Sequence, residues 1–432
     1  MKILLVSPPI YDFAAYDFWM KPLGILYISS ILKEKGHKVY LIDATNRFDS
    51  YYSEVKSDRF GRGKINAKTV LKPEILKGIP RRYRRYGLPR KIIIKKIKEF
   101  DPEVVMVSCT MTYWYPGVVE IKKILDSLPI KPTLLLGGIY PRLLPIHANS
   151  LGFDRVYTGS GGFIDEIGVE IPDDFSRFPP PDYSHYENLE YAAIATSLGC
   201  PFFCPYCASP NLYGKKQNKE AEQVIEEIEY LYKKEIHKFA FYDDALLITE
   251  DRFVNLCQKI KERGISANFF TPNGLHSRFL TREVAQWMHK VGFKEPRISL
   301  ETTDEDLQKR FSIKTTNGEF IRAVENLSTT GYNKKHIYTY LLAGLPQFSF
   351  PSVRKSILDV ARIGVKVSLA EFSPIPGTPM EQELPDPLLT NNTAFYYYKG
   401  MGKEMERIKQ LVKWANKGID LGISIKEIKD YL

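Results

Sequence analysis

The run Ser197-Leu198-Gly199-Cys200-Pro201-Phe202-Phe203-Cys204-Pro205-Tyr206-Cys207 decides the reading of this chain. Its spacing, Cys-x3-Cys-x2-Cys, places three thiolates on one short loop. That is enough to hold three irons of a four-iron, four-sulfur cluster while the fourth iron keeps no protein ligand. A structural zinc site and a disulfide are the competing readings. A closed zinc site takes four ligands, usually as two pairs, and outside this loop only Cys109 and Cys257 remain, both isolated. Five cysteines in 432 residues suit a reducing cytosol better than a disulfide framework. The opening Met1-Lys2-Ile3-Leu4-Leu5-Val6-Ser7-Pro8-Pro9 reads as a first buried strand, not as a secretory leader.

With the aromatic Tyr206 before the last cysteine, the loop resembles the signature of the radical S-adenosylmethionine (radical SAM) superfamily. The resemblance implies a [4Fe-4S] cluster on Cys200, Cys204 and Cys207. It also implies SAM chelated at the open iron through its amino and carboxylate groups, and one-electron cleavage of the sulfonium to a 5'-deoxyadenosyl radical. An external one-electron reductant such as a flavodoxin or ferredoxin is implied as well. Soft thiolates suit such a cluster, and the protein's part is to hold the cofactors and exclude water and oxygen.

A chain of this length exceeds most single cores, so two domains and a tail are expected. Hydrophobic residues make up 44% and charged residues 26%, ordinary values for a globular protein. No run of eighteen apolar residues occurs, so no membrane span is expected, and a cytoplasmic protein is. The net charge of +10 is local: residues 51–100 carry sixteen Lys or Arg against four acids, +12, so the remainder sums to −2.

Residues 1–170 alternate apolar runs with amphipathic stretches, as in a doubly wound parallel α/β sheet. Expected strands are Ile3 to Val6, Lys38 to Ile42, Val104 to Ser108, Thr133 to Leu136 and Arg155 to Tyr157, with helices at Leu23 to Lys35 and Pro116 to Leu125. Five strands with crossovers suggest a flavodoxin-like (Rossmann-like) domain that binds ligands at the carboxyl ends of its strands. Those ends carry Ser7, Asp43, Ser108-Cys109-Thr110, Gly137-Gly138 and Gly159-Ser160-Gly161-Gly162.

This half resembles the cobalamin-binding-like domain that precedes the radical core in one large class of radical SAM enzymes. The resemblance implies a corrinoid held near Ser7, Asp43, Ser108, Thr110, Gly137, Gly138 and Gly159. Glycines permit close backbone approach, and glycines after strands are also ordinary turn formers. Where cobalt-ligating members have Asp-x-His-x-x-Gly, this chain reads Asp43-Ala44-Thr45-Asn46-Arg47-Phe48, keeping the Asp and losing the His and the Gly. Either a corrinoid binds without that imidazole or the domain no longer binds one. His147 is an alternative ligand or a surface helix residue; Cys109 faces a corrin or is a buried strand thiol; Cys257 is core. The basic insertion 51–100, with Arg81-Arg82-Tyr83-Arg84-Arg85-Tyr86, suits an anionic substrate or cofactor tail or a solvated surface. Nucleic acid is disfavoured, since neither an RNA-recognition signature nor a zinc finger accompanies it.

Residues 171–190, rich in Pro, Asp and Tyr, read as a linker. Residues 191–385 then alternate strand and helix six times, with strands at Tyr191 to Thr196, Lys238 to Tyr242, Ala267 to Phe270, Arg297 to Leu300, Ile337 to Leu341 and Val367 to Ala370. That is a partial (β/α)6 barrel with its site at the carboxyl ends of the strands. The resemblance places SAM there, against Tyr206, Asp243, Asp244, Asn273, Ser299, Glu301 and Gly344. Asp243 or Asp244 would receive the methionine ammonium, Glu301 the ribose hydroxyls, and Gly344 would admit adenine. Asp243-Asp244 is equally readable as a helix N-cap. His276 and Arg278 are candidates for positioning substrate or for acid–base work. Residues 386–432 form a helical tail, with helices near Phe395 to Trp414 and Ser424 to Leu432, that caps the barrel or meets substrate.

Two cysteines beyond the loop are too few for methylthiotransferases and other enzymes with extra clusters. Methyl transfer from a methylcorrinoid to an unactivated carbon is the leading expectation. A cobalamin-independent rearrangement, epimerisation, cyclisation or dehydrogenation is the second. A non-enzymatic iron–sulfur sensor holding nucleic acid is the third.

Overall fold

The computed structural model describes residues 1–159, 161–311 and 314–423. They divide into two compact units: Met1–Ala193 with Ile375–Gly377 and Glu381–Ala394, and Ile194–Pro374 with Thr378–Met380 and the chain from Phe395 onward.

The first unit is organised by five parallel strands, β1 (Lys2–Ser7), β2 (Lys38–Asp43), β3 (Val104–Ser108), β4 (Thr133–Gly137) and β5 (Arg155–Val156). Their spatial order is β2-β1-β3-β4-β5. Apolar runs buried on both faces explain them: Ile3, Leu4, Leu5 and Val6 are all but sealed from solvent. Register aligns the strand ends in pairs, Ser7 beside Asp43 and Ser108 beside Gly137. The crossovers are α1 (Leu23–Glu34), α2 (Arg90–Phe100) and α3 (Tyr115–Asp126). Helix α2 buries Ile93 and Ile97, four residues apart, and leaves its lysines outward.

The insertion expected over residues 51–100 is therefore shorter, since its last eleven residues are the β2–β3 crossover helix. What remains folds partly as an antiparallel ribbon of Ile10–Asp12, Arg84–Tyr86 and Ala67–Thr69. Several of its cations are internal: Arg85 binds Glu120 through two nitrogens at 2.7 and 2.9 Å, and Arg62 binds Asp58. Residues 171–190 pack on this same unit. Buried Phe175 meets Tyr27 edge-on, and Asp182 accepts from Ser29 and Ser184 and pairs with Lys33 at 2.7 Å.

Strand β6 (Ala192–Ile194) falls at the boundary between the units. In the second unit β7 (Lys238–Phe241) pairs in parallel with β8 (Asn268–Phe270), and a four-stranded parallel sheet runs β9 (Leu275–His276), β10 (Arg297–Glu301), β11 (Tyr338–Ala343), β12 (Lys366–Glu371). Strand β9 was not anticipated, because two residues carry no periodicity. Amphipathic helices intervene, and two begin with reciprocal capping boxes, Glu220 with Gln223 and Thr316 with Glu319. The expected helix Phe395 to Trp414 is instead two, Asn392–Tyr398 and Gly402–Leu421, parted where Gly400 takes a φ of 73°. The longer one buries Met405, Ile408, Leu411 and Ala415. Its Asn416 amide bonds both the N–H and the carbonyl of Val367 at 2.8 Å, covering the edge of β12. The helix expected at 424–432 lies outside the described residues, as does Ser160.

Two outcomes test this packing. At Gly138 (φ 98°) a Cβ would stand 2.6 Å from Ser108 Oγ and 2.7 Å from the Cys109 carbonyl. Gly138→Ala should therefore cost about 1–3 kcal/mol in cofactor-free protein, read from its denaturation midpoint. For Asp182, burial alone would raise the carboxyl, but hydrogen bonds from His185, Lys33 and Ser184 outweigh it and hold it well below its ordinary value. A depressed pKa gives stability that is present above the unfolded value of about 4 and lost as pH falls below it. Asp182→Asn should flatten the acid limb of a stability–pH curve.

Candidate active site

The cysteine loop lies beyond the carboxyl end of β6. Cys200 and Cys204 are buried and Cys207 is nearly so. The Cys207 amide closes a turn on the Cys204 carbonyl at 3.0 Å. Burial pushes all three thiols up, with Lys314 opposing it. Bound iron would remove those protons, as it does for any coordinating thiol. Among the described residues no three His, Cys, Asp or Glu groups converge as on a single metal ion. A cubane makes a different demand, with each thiolate on its own iron. The donor set therefore fits the cluster.

The two adjacent aspartates after β7 have separate fates. Asp243 accepts from the Thr196 N–H at 3.0 Å and hydroxyl at 2.7 Å and from the Ser197 hydroxyl at 2.5 Å. It is occupied in tying down the strand that leads into the loop. Asp244 accepts from Ser209 Oγ at 2.6 Å. Burial raises its carboxyl, Ser209 opposes, and its field reaches the Cys200 and Cys207 thiols. Asp244 is thus the carboxylate beside the loop.

Glu301 ends β10 where the register to β11 shifts, with a φ of 71°. Such irregularities re-aim a side chain, and this one meets Lys314 Nζ at 2.7 Å, the carboxylate buried and the lysine partly so. Burial disfavours the ammonium, yet Glu301 and the Cys204 thiol outweigh it and hold Lys314 above the usual lysine range. Lys314 lies 6.0 Å from the ring of half-buried Tyr206. It escaped the sequence reading because it follows no strand; its only signal is its position just before the Thr316 capping box.

The remaining candidates spread out. Asn273 donates to the Tyr242 carbonyl at 2.8 Å, joining two strand ends. Buried Ser299 accepts from Ser277 through its carbonyl. Gly344 (φ 82°) faces Tyr396, whose ring takes the space of a Cβ, which gives the glycine an explanation within the C-terminal segment. Arg278 pairs with Glu319 at 2.8 Å and buttresses the helix Asn317–Thr329. His276 is buried, with Nε2 4.0 Å from Cys200 Sγ. Burial, Lys314, Lys216 and Arg278 push its imidazole down to about 3.

In the first unit a cleft opens between the ends of β1 and β3, where the strand order reverses. Ser7, Lys21, Thr45, Ser108, Thr110 and Trp114 line it, together with Cys109. Asp43 lies buried, accepting from Thr45 Oγ1 at 2.8 Å and Tyr186 OH at 2.9 Å. Gly137 has open space where a side chain would project, unlike Gly138. Gly159 is exposed beyond β5. His147 is engaged by Tyr140 OH at 2.6 Å, and Cys257 is core. The cleft offers hydroxyls and an indole but no imidazole after β2.

These assignments predict a split. Asp243→Ala orphans three buried donors and should cost more than about 2 kcal/mol in cofactor-free protein, whereas Asp244→Ala should cost less than half as much. Both costs are read from denaturation midpoints.

Residues 194–357 match the radical SAM superfamily. An uncharacterized methyltransferase of Pyrococcus horikoshii is 22% identical, over 88% of this chain and 82% of that one. The cytidylyl-2-hydroxyethylphosphonate methyltransferase of Streptomyces wedmorensis is 21% identical, over 80% of this chain and 73% of that one. Among solved structures, the radical SAM methyltransferase TsrM of Kitasatospora setae, with tryptophan and a SAM analogue bound, superposes with a TM-score of 0.63 at 15% identity, covering 88% of this chain and 75% of that one. A second structure of it, holding cobalamin and a [4Fe-4S] cluster, gives 0.61 at 16% identity, covering 88% and 76%. The likeness to TsrM is one of fold. Cys200, Cys204 and Cys207 lie within the segment that matches the radical SAM model.

Proposed function

We propose that this protein is a radical SAM methyltransferase that uses a [4Fe-4S] cluster, SAM and a corrinoid. The observation that carries the reading is the three-thiol loop with Asp244 and the Glu301–Lys314 pair close enough for their charges to reach its thiols. A zwitterionic amino acid head needs a carboxylate for its ammonium and a cation for its carboxylate. Asp244 and Lys314 supply them, and Glu301 remains as acceptor for the ribose hydroxyls. When bound, the cluster supplies the electron that splits the sulfonium, delivered by an external donor such as a flavodoxin or ferredoxin.

On this reading the second unit is a partial (β/α)6 barrel and the first a flavodoxin-like, cobalamin-binding-like domain. The cleft at the reversal of strand order is where such sheets bind ligands. Ser7, Thr45, Ser108 and Thr110 would hold the corrinoid by hydrogen bonds, and Gly137 would leave room for it. The methyltransferase names borne by relatives along most of this chain support the same class of reaction. Among the described residues no helix is long and apolar enough to cross a membrane.

One observation favours a second reading, in which the first unit is scaffold only. Asp43 is consumed by Thr45 and Tyr186, and Gly138 by the β3 end, so two features shared with corrinoid binders have internal explanations. The nucleic-acid sensor has less support, because cations of the basic segment such as Arg62 and Arg85 are bound to carboxylates.

Anaerobic purification followed by reduction with dithionite separates these readings. Four irons and one corrinoid per chain, with 5'-deoxyadenosine or demethylated SAM as product, support methyl transfer. SAM cleavage without corrinoid supports the second reading, and no cleavage removes both. Cys204→Ala should lower cleavage roughly 100-fold or more, since even partners outside the ligand set are worth 10–100-fold.

A further inference from the structure

We propose that His276 is a positioning residue that donates a hydrogen bond from Nε2 to the Cys200 thiolate and thereby sets the reduction potential of the cluster. The inference rests on the cluster reading above and concerns a residue first singled out for substrate.

Three observations carry it. First, His276 ends β9 and is 96% shielded, with Nε2 4.0 Å from Cys200 Sγ. Second, the buried Nδ1 has no hydrogen-bond partner. A neutral imidazole carries a single N–H. Placed on Nδ1 that proton would be buried and unsatisfied, whereas on Nε2 it faces sulfur, so the environment selects the Nε2–H tautomer. Third, the ring is held from the loop itself: Phe202, two residues after Cys200, stacks on it at 5.2 Å with planes 26° apart. The loop and the imidazole therefore move together, and loading the cluster turns a thiol into a thiolate, a stronger acceptor.

The consequence follows from charge. Reduction adds an electron to the cluster and its sulfurs become more negative, so a donor aimed at a sulfur stabilises the reduced state and raises the potential. The effect comes through the hydrogen bond that the ring N–H directs at the sulfur. The reaction with SAM leaves His276 unchanged.

The test uses full-length protein reconstituted without oxygen. His276→Phe keeps the ring and its stacking on Phe202 but removes the donor; His276→Gln restores an N–H. EPR-monitored redox titration should show the reduced-to-oxidised ratio at fixed potential falling about tenfold in His276→Phe, a shift of ~59 mV for one electron, with His276→Gln recovering most of it. Equal potentials in wild type and His276→Phe, at equal iron content, would overturn the proposal. Should the variants fail to load iron, pulsed EPR on wild-type protein grown with 15N-histidine decides. A nitrogen coupling to the reduced cluster supports the bond, and its absence overturns it. If wild-type protein itself shows no reducible cluster, it is the cluster reading that fails.

Discussion

Three thiolates within eight residues can hold a reactive cluster only if the loop between them is clamped from outside, because its own secondary structure is slight. Asp243 supplies the main clamp, drawing the N–H and hydroxyl of Thr196 and the hydroxyl of Ser197 onto one buried carboxylate. Phe202 stacked on His276, the Met380 amide on the Pro205 carbonyl at 3.2 Å, and Ser209 on Asp244 hold the rest. None of these groups is a ligand. Together they meet the entropic cost of ordering a loop that has few backbone bonds of its own.

The second requirement is charge balance. Buried carboxylates and thiols at the strand ends would repel an anionic cluster unless a cation accompanied them. Lys314 and Lys216 are such cations, and the left-handed turn of Glu301 is the local strain that brings a carboxylate to Lys314. Strain of this kind persists where the surroundings over-determine it, and it gathers at working sites.

The longer parallel strands of both units were legible because buried parallel strands are continuous apolar runs with polar ends, as Val104 to Ser108 shows residue for residue. The cysteine loop was legible by spacing alone. What the order of residues hid was the use of each polar group. Asp243 and Asp244 look equivalent in sequence, and three-dimensional hydrogen bonding alone separates them. Gly344 looked like room for a ligand, and Tyr396, fifty-two residues on, gives it a second explanation. Arg90–Phe100 looked like part of a basic insertion because its lysines face outward, whereas Ile93 and Ile97 make it a crossover helix. His276 and Lys314 come to the loop by long-range packing, which no local pattern encodes.

The central claim is that one iron is left open for SAM. Mössbauer spectroscopy of protein reconstituted with 57Fe tests it most directly. The account predicts four irons per chain, one of which changes its isomer shift and quadrupole splitting when SAM is added while three do not. Four irons that stay equivalent with and without SAM, or a centre holding fewer than four, would contradict it.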